Sequence, residues 1–168
     1  NGNELAFDYI GYFGAINFER DNVDLLLRAY AGILEKYENM HLVLGGFYLE
    51  KDKDLVNRLS DELGISASTH LLDYLSREEV SRYISHAKIL VLVRRKDPFT
   101  DVTYPSKLTE YLATGKPVIS VKVGEIPGYL QDNREAFLVD PGDVQALAEK
   151  IDFVLSNYEH AEAVGKAG

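Results

Sequence analysis

A lysine and a glutamate three residues apart can form an idle ion pair on a helix, or make two separate contacts to one ligand. The stretch YPSKLTEYLATGKPVISV, residues 104–121, holds such a pair. Lys107, Glu110 and Thr114 fall at i, i+3 and i+7, on one face of a helix, while Leu108, Tyr111 and Leu112 share another. Ser106 stands where an N-cap is expected, Pro105 fixes the entry, and Gly115 followed by Pro117 closes the helix. Unpaired amides at the start of a helix attract anions, and Lys107 adds charge to them. A carboxylate one turn further in suits a diol, from which it accepts two hydrogen bonds. Two readings stay open on spacing alone. One is a solvated pair worth about 0.2–0.5 kcal/mol. The other is a phosphate site at Lys107 beside a ribose site at Glu110.

Other residues offer weaker chemistry. In GYFGAINFERDN, Gly14 lets backbone approach a ligand and Arg20 can grip a phosphate bidentately. A tight turn with a surface arginine explains the same residues. Gly11 and Gly14 give G-x-x-G without the third glycine of a dinucleotide fingerprint. Arg94, Arg95 and Lys96 form a basic run that either attracts phosphate or is a solvated loop. Asp97 and Asp101 flank Pro98-Phe99, as site carboxylates or as turn residues. The four histidines are dispersed, and His41 and His70 at strand starts are expected to be structural. No H-E-x-x-H, G-x-S-x-G or Walker A pattern is present. The chain has no cysteine, which excludes thiol chemistry, disulfides and cysteine-held zinc.

The elements that must position these residues alternate. Apolar, β-rich runs at 7–13, 40–46, 69–75, 88–93, 116–123 and 136–139 read as strands. Helical periodicity appears at 22–37, 51–64, 76–87, 106–114 and 142–157, with Asp21 or Asn22 as a cap and Ser76 to Glu79 as a capping box. Continuous apolar strands separated by helices predict an α/β fold, a Rossmann-like doubly wound parallel sheet of about six strands. In such sheets ligands sit beyond the carboxyl ends of the strands. The loop 94–105 follows the most apolar strand and so lies at that edge.

At 168 residues, with 46% hydrophobic and 27% charged residues, the chain reads as one domain, 1–168. A net charge of -9 argues against a nucleic-acid partner. No run approaches the roughly 18 apolar residues of a membrane span. NGNELAF has no basic leader region, so a cytoplasmic location is expected. The missing initiator methionine and the AEAVGKAG end suggest a piece of a longer chain.

Five segments then carry a resemblance: YIGYFGAINFERDNVDLLLRAYAGI, HLVLGG, HLLDYLSREEVSRYISHAKILVLV, PSKLTEYLATGKPVISV and FLVDPGDVQALAEKI, in that order. Together they resemble the C-terminal, donor-binding half of a GT-B glycosyltransferase of group 1 (family 4), in a P-x-K-L-x-E-Y subgroup. The resemblance implies metal-independent, retaining transfer from a nucleoside diphosphate sugar (UDP- or GDP-sugar) to a glycan or lipid-linked acceptor. No cofactor is implied. It assigns Glu110 to the ribose, Ser106, Lys107 and Leu108 to the pyrophosphate, Arg20 to phosphate, and Tyr74 and Leu75 to the base. Arg20 and Lys107 would stabilise the leaving diphosphate. Two departures stand out. Ala15 replaces an arginine common in the family, and Val102 falls where the first glutamate of an E-x7-E pair holds the donor sugar. Lys107 is expected to replace the charge lost at Ala15, and Arg95, Asp97 and Asp101 are the candidates for holding the sugar. The acceptor half, through which such enzymes can sit peripherally at a membrane, is not in this stretch. The isolated fragment is therefore expected to bind nucleotide weakly and turn nothing over. A nucleotide-sugar epimerase and a degenerate nucleotide-binding or regulatory module are the alternatives.

Overall fold

Strands covered by helices on both faces cannot alternate apolar with polar residues, which is why YIGYF, ILVL and VISV are continuous buried runs. The computed structural model describes residues 5–102 and 104–168. Along them the chain runs β1 (Tyr9–Phe13), α1 (Phe18–Asp21), α2 (Val23–Ile33), β2 (His41–Gly45), α3 (Glu50–Glu62), β3 (Thr69–Leu71), α4 (Arg77–His86) and β4 (Ile89–Leu92). A 3-10 turn (Thr100–Val102) precedes α5 (Ser106–Leu112), β5 (Val118–Val121), α6 (Ile126–Tyr129), β6 (Phe137–Val139), α7 (Val144–Ser156) and α8 (Tyr158–Ala167).

The sheet has six strands in the order β3-β2-β1-β4-β5-β6, and every pairing is parallel. From β1 the chain winds one way to β2 and β3. From β4 it winds the other way to β5 and β6. Right-handed crossovers in opposite directions put helices on opposite faces of the sheet. The reversal falls between β1 and β4, and a crevice opens there at the carboxyl ends of the strands. The expected doubly wound α/β sheet is therefore present.

Local chemistry sets several boundaries. Ser76 accepts from the Glu79 amide at 3.2 Å while Glu79 accepts from the Ser76 amide at 2.8 Å, so the capping box forms at α4. Asp143 caps α7 through the Ala146 amide at 2.8 Å. Asn22 takes a left-handed conformation, φ 52, and gives no side-chain cap. The helix expected over 22–37 is thus α2, which begins at Val23 and ends at Ile33, and the short α1 before it was not expected. Pro105, not Ser106, holds the N-cap position of α5, and Ser106 is its first helical residue.

Residues 158–167 lie beyond the last helix that periodicity predicts, and they form α8. Its buried side is built from Ala161, Val164 and Gly165. Small residues give a faint periodic signal, and they are needed here. A Cβ at Gly165 would lie 2.6 Å from the Lys116 backbone.

Candidate active site

The crevice exists because β1 and β4 stop pairing early. Their register runs only through Ile10–Ile89 and Gly11–Leu90. Beyond it the backbone of Phe13 needs another partner on that side. The Tyr111 hydroxyl supplies it, accepting from Phe13 N–H at 2.6 Å and donating to Phe13 C=O at 3.1 Å. Tyr111 is fully buried, and burial pushes its phenol pKa up, so it remains a neutral donor and acceptor. It stands in for a strand residue and fixes α5 against the end of β1. On the other side, Gly14 N–H donates to Gly45 C=O at 3.0 Å. Gly46 follows with φ +130, and a Cβ there would lie 2.1 Å from Gly14 O. The β1 and β2 loops therefore approach each other only because residue 46 is glycine.

Between these ends lies a cleft of about 270 Å³, bordered by Gly14, Asp21, Arg94, Ser106, Lys107 and Phe99 among others. Gly14 and the start of α5 face each other across it, as the sequence places them. A Cβ at Gly14 would make only ordinary contact, 3.5 Å from the Tyr12 hydroxyl, so packing does not demand glycine there. Leu108 is different. Its amide donates to Pro105 C=O at 3.0 Å and its side chain is fully buried, so it serves the core. Among the described residues, the Ser106 and Lys107 amides meet no acceptor. Arg20 does not border the cleft. Its side chain is 64% exposed and its Nε lies 3.9 Å from Asp21 Oδ2.

A second hollow, about 930 Å³, runs between α4 and α5, bordered by Tyr74, Leu75, Arg77, Glu110 and Thr114, and again by Lys107. Lys107 thus stands on the rim shared by both spaces. Its ammonium donates to Glu110 Oε2 at 3.0 Å, so the pair that spacing allowed does form. Tyr74 and Leu75 also border a smaller hollow with Gly46, Phe47 and Tyr48. Tyr74 is 92% exposed and Phe47 is largely exposed, leaving aromatic faces open beside Glu110's groove.

The loop 94–105 is organised around Thr100, which is fully buried. Its hydroxyl accepts from Asp97 N–H at 2.9 Å and donates to Arg95 C=O at 2.8 Å. Asp97 in turn accepts from the amides of Phe99 and Thr100, at 2.8 and 2.9 Å. Its carboxylate is a turn clamp. Arg95 points elsewhere, donating to Asn22 Oδ1 at 3.3 Å beside Arg28 and Lys96. Asp101 is exposed on the 3-10 turn. Val102 is 78% exposed. None of these three sugar candidates borders the 270 Å³ cleft.

Two charged cleft residues lie outside the sequence-derived site. Arg94 was visible only as part of a basic run, and periodicity alone could have separated it from Arg95, because alternate residues leaving a strand point to opposite sides. Asp21 was read as a possible cap. Burial raises its carboxyl pKa, against the lowering effect of Arg20 and Arg94. No cluster of three or more His, Asp or Glu side chains suited to a metal occurs among the described residues. Nor is any helix there long and apolar enough to cross a membrane.

Residues 5–168 match the family Glycosyl transferases group 1. The chain belongs to that family. D-inositol 3-phosphate glycosyltransferase of Corynebacterium urealyticum is 28% identical over 98% of the chain and 39% of its own length. The same-named protein of Mycobacterium sp. strain KMS is 33% identical over 79% of the chain and 29% of its own length. The chain thus spans roughly two-fifths or less of these curated relatives. The C-terminal domain of the group 1 glycosyl transferase LpcC from Francisella tularensis superimposes with TM-score 0.82 at 22% identity, covering 95% of this chain and 81% of that one. Anabaena Alr3699/HepE, solved with UDP-glucose, gives TM-score 0.82 at 16% identity over 96% of this chain and 43% of that one. The group 1 domain here therefore has the sheet and helix arrangement of GT-B glycosyltransferase structures. Its cleft lies at the switch point of that fold.

Proposed function

We propose that this group 1 domain holds the nucleoside diphosphate sugar donor of a retaining, metal-independent glycosyltransferase of the family 4 type. The diphosphate lies between Gly14 and the start of α5, with Lys107 and Arg94 as its cations. The ribose diol meets Glu110, and the base lies beside Tyr74 and Leu75. The observation that carries this reading is the place of Lys107 on the rim between a small cationic cleft and the groove of Glu110. A charged, bipartite ligand that crosses that rim fits both spaces.

The Lys107–Glu110 pair does not oppose the reading. Both side chains are a third to a half exposed. Such a pair is worth about 0.2–0.5 kcal/mol. A charge-assisted hydrogen bond to a ligand contributes about 1.5–3 kcal/mol, so the pair yields when phosphate and diol arrive. Charge developing on the leaving diphosphate meets Lys107, Arg94 and the Ser106 amide, groups already in place before reaction. Lys107 then supplies the charge missing at Ala15. Arg20 lies at the edge of this field, and its contribution is long-range.

A UDP-sugar is the first donor to test, because the Anabaena relative was solved with UDP and UDP-glucose; GDP-sugars are the alternative. The acceptor, a glycan or lipid-linked glycan, is met by the other half of the protein, which also makes any membrane contact. The 168-residue chain alone binds donor weakly and transfers no sugar. A degenerate nucleotide-binding module is the second reading, favoured by the apolar, exposed Val102.

Titration with UDP, GDP and ADP, followed by backbone amide shifts, tests the proposal. Shifts are expected at Gly14, Tyr74 and 106–110, and Lys107→Ala should weaken binding about tenfold. Absence of binding at millimolar nucleotide would favour the degenerate module. An unchanged affinity in Lys107→Ala, with loss in Arg20→Ala, would move the phosphate away from α5.

A further inference from the structure

We propose that the carboxyl group of Asp21 holds the hydroxyls of the donor sugar, in place of the glutamate that Val102 replaces. This rests on the donor reading above. Asp21 ends α1 and is only 8% exposed, although it borders the cleft with Gly14, Arg94, Ser106 and Lys107. The left-handed turn at Asn22 directly after it, and the Asn17 side chain accepting from Arg20 N–H at 2.9 Å before it, fix the short helix. Asp21 is thereby turned inward and Arg20 outward.

One oxygen of this carboxyl group is unsatisfied. Asp21 Oδ2 is buried and has no hydrogen-bond partner among the described residues. The Arg20 Nε at 3.9 Å is too far to donate. A buried acceptor without a donor is costly to keep, and burial has raised its pKa accordingly. The missing partner must bring donors. A diphosphate brings only acceptors and negative charge, which Asp21 would repel. A metal would need further ligands, and no three-residue cluster exists among the described residues. Sugar hydroxyls are neutral donors, and the sugar is the part of the donor covalently next to the diphosphate. Val102, by contrast, is exposed and does not border the cleft.

The test compares ligands that differ only by the sugar. Dissociation constants of UDP and UDP-glucose, GDP and GDP-mannose, and ADP and ADP-glucose are measured on the 168-residue chain and its Asp21→Asn and Asp21→Ala variants by calorimetry. In the pair that binds, Asp21→Ala should lower the preference for the sugar-bearing ligand by about tenfold, 1.4 kcal/mol. Asp21→Asn keeps the shape and one acceptor and should lower it less, which also covers a failure of the alanine variant to fold. Affinity for the bare diphosphate should hold or tighten, because a like charge has gone. An unchanged preference in the variants would overturn the role of Asp21 and leave the donor reading intact. Equal weakening of both ligands would make Asp21 a support for the phosphate cleft and overturn the sugar contact. Failure of every nucleotide to bind the parent chain would refute the donor reading itself, and this inference with it.

Discussion

Tyr111→Phe removes one oxygen atom from the place where β1 and β4 part. That oxygen makes two bonds, accepting from Phe13 N–H at 2.6 Å and donating to Phe13 C=O at 3.1 Å. The site is fully buried, so water cannot replace it without rearrangement. Leaving a buried backbone N–H unpaired costs about 1–3 kcal/mol, and the ring itself stays packed. A loss of about 2 kcal/mol is expected. For a chain of this size each kcal/mol moves the melting temperature by roughly 2–4 °C, which gives a fall of roughly 4–8 °C. Thermal and urea melts measure it, and an unchanged urea slope would show that the unfolding itself is the same. The start of α5, no longer tied to β1, should also bind UDP several-fold more weakly. A midpoint within about 1 °C of the parent would refute the reasoning. It would mean that Phe13 finds another partner and that apolar packing alone holds α5.

Gly46→Ala should cost about 3 kcal/mol or more, because φ +130 strains any side chain and the new Cβ would collide with Gly14 O; a normal melting curve would contradict that. Gly14→Ala should leave the unfolding free energy from urea melts within about 0.5 kcal/mol yet weaken nucleotide binding, since its Cβ meets only ordinary contacts but enters the cleft. His41 Nδ1 and His70 Nε2 share a hydrogen bond at 2.9 Å under the ring of Phe7, and burial, with His41 nearby, holds His70 below its ordinary pKa. Its unfolded form takes protons more readily, so stability present above about pH 6.5 is lost as the pH falls toward the lower folded value. The urea midpoint should drop between about pH 7.5 and 5.5, and His70→Gln should shrink that drop; an equal drop in both would exclude this histidine.

The doubly wound sheet was legible in the residue order because its cause is local. Strands buried on both faces are apolar along most of their length, and YIGYF, HLVLG, ILVL and VISV are, with only the half-buried His41 and the buried Ser120 as exceptions. The capping box of Ser76 and Glu79 was equally plain, since each of its bonds spans three residues. The α8 helix was not, because Ala161 and Gly165 are buried for closeness and not for hydrophobicity.

The candidate site divides the same way. Lys107 and Glu110 were fixed on one helical face by spacing, and so was their ability to pair. Whether they face an empty groove depends on α4, which lies about thirty residues earlier in the chain. Alternation along the chain separates Arg94 from Arg95 without saying which of them faces a ligand, and the fold sends Arg94 to the cleft and Arg95 to Asn22. Asp97 looks like a free carboxylate until its two amide donors are seen. Arg20 and Asp21 are neighbours in the chain, and a single left-handed residue, Asn22, follows the helical turn that buries the acid and exposes the base. Period and composition set the elements and their faces. The direction of each charged side chain was set by packing between residues far apart in the chain, where burial and unpaired hydrogen bonds carry the energy.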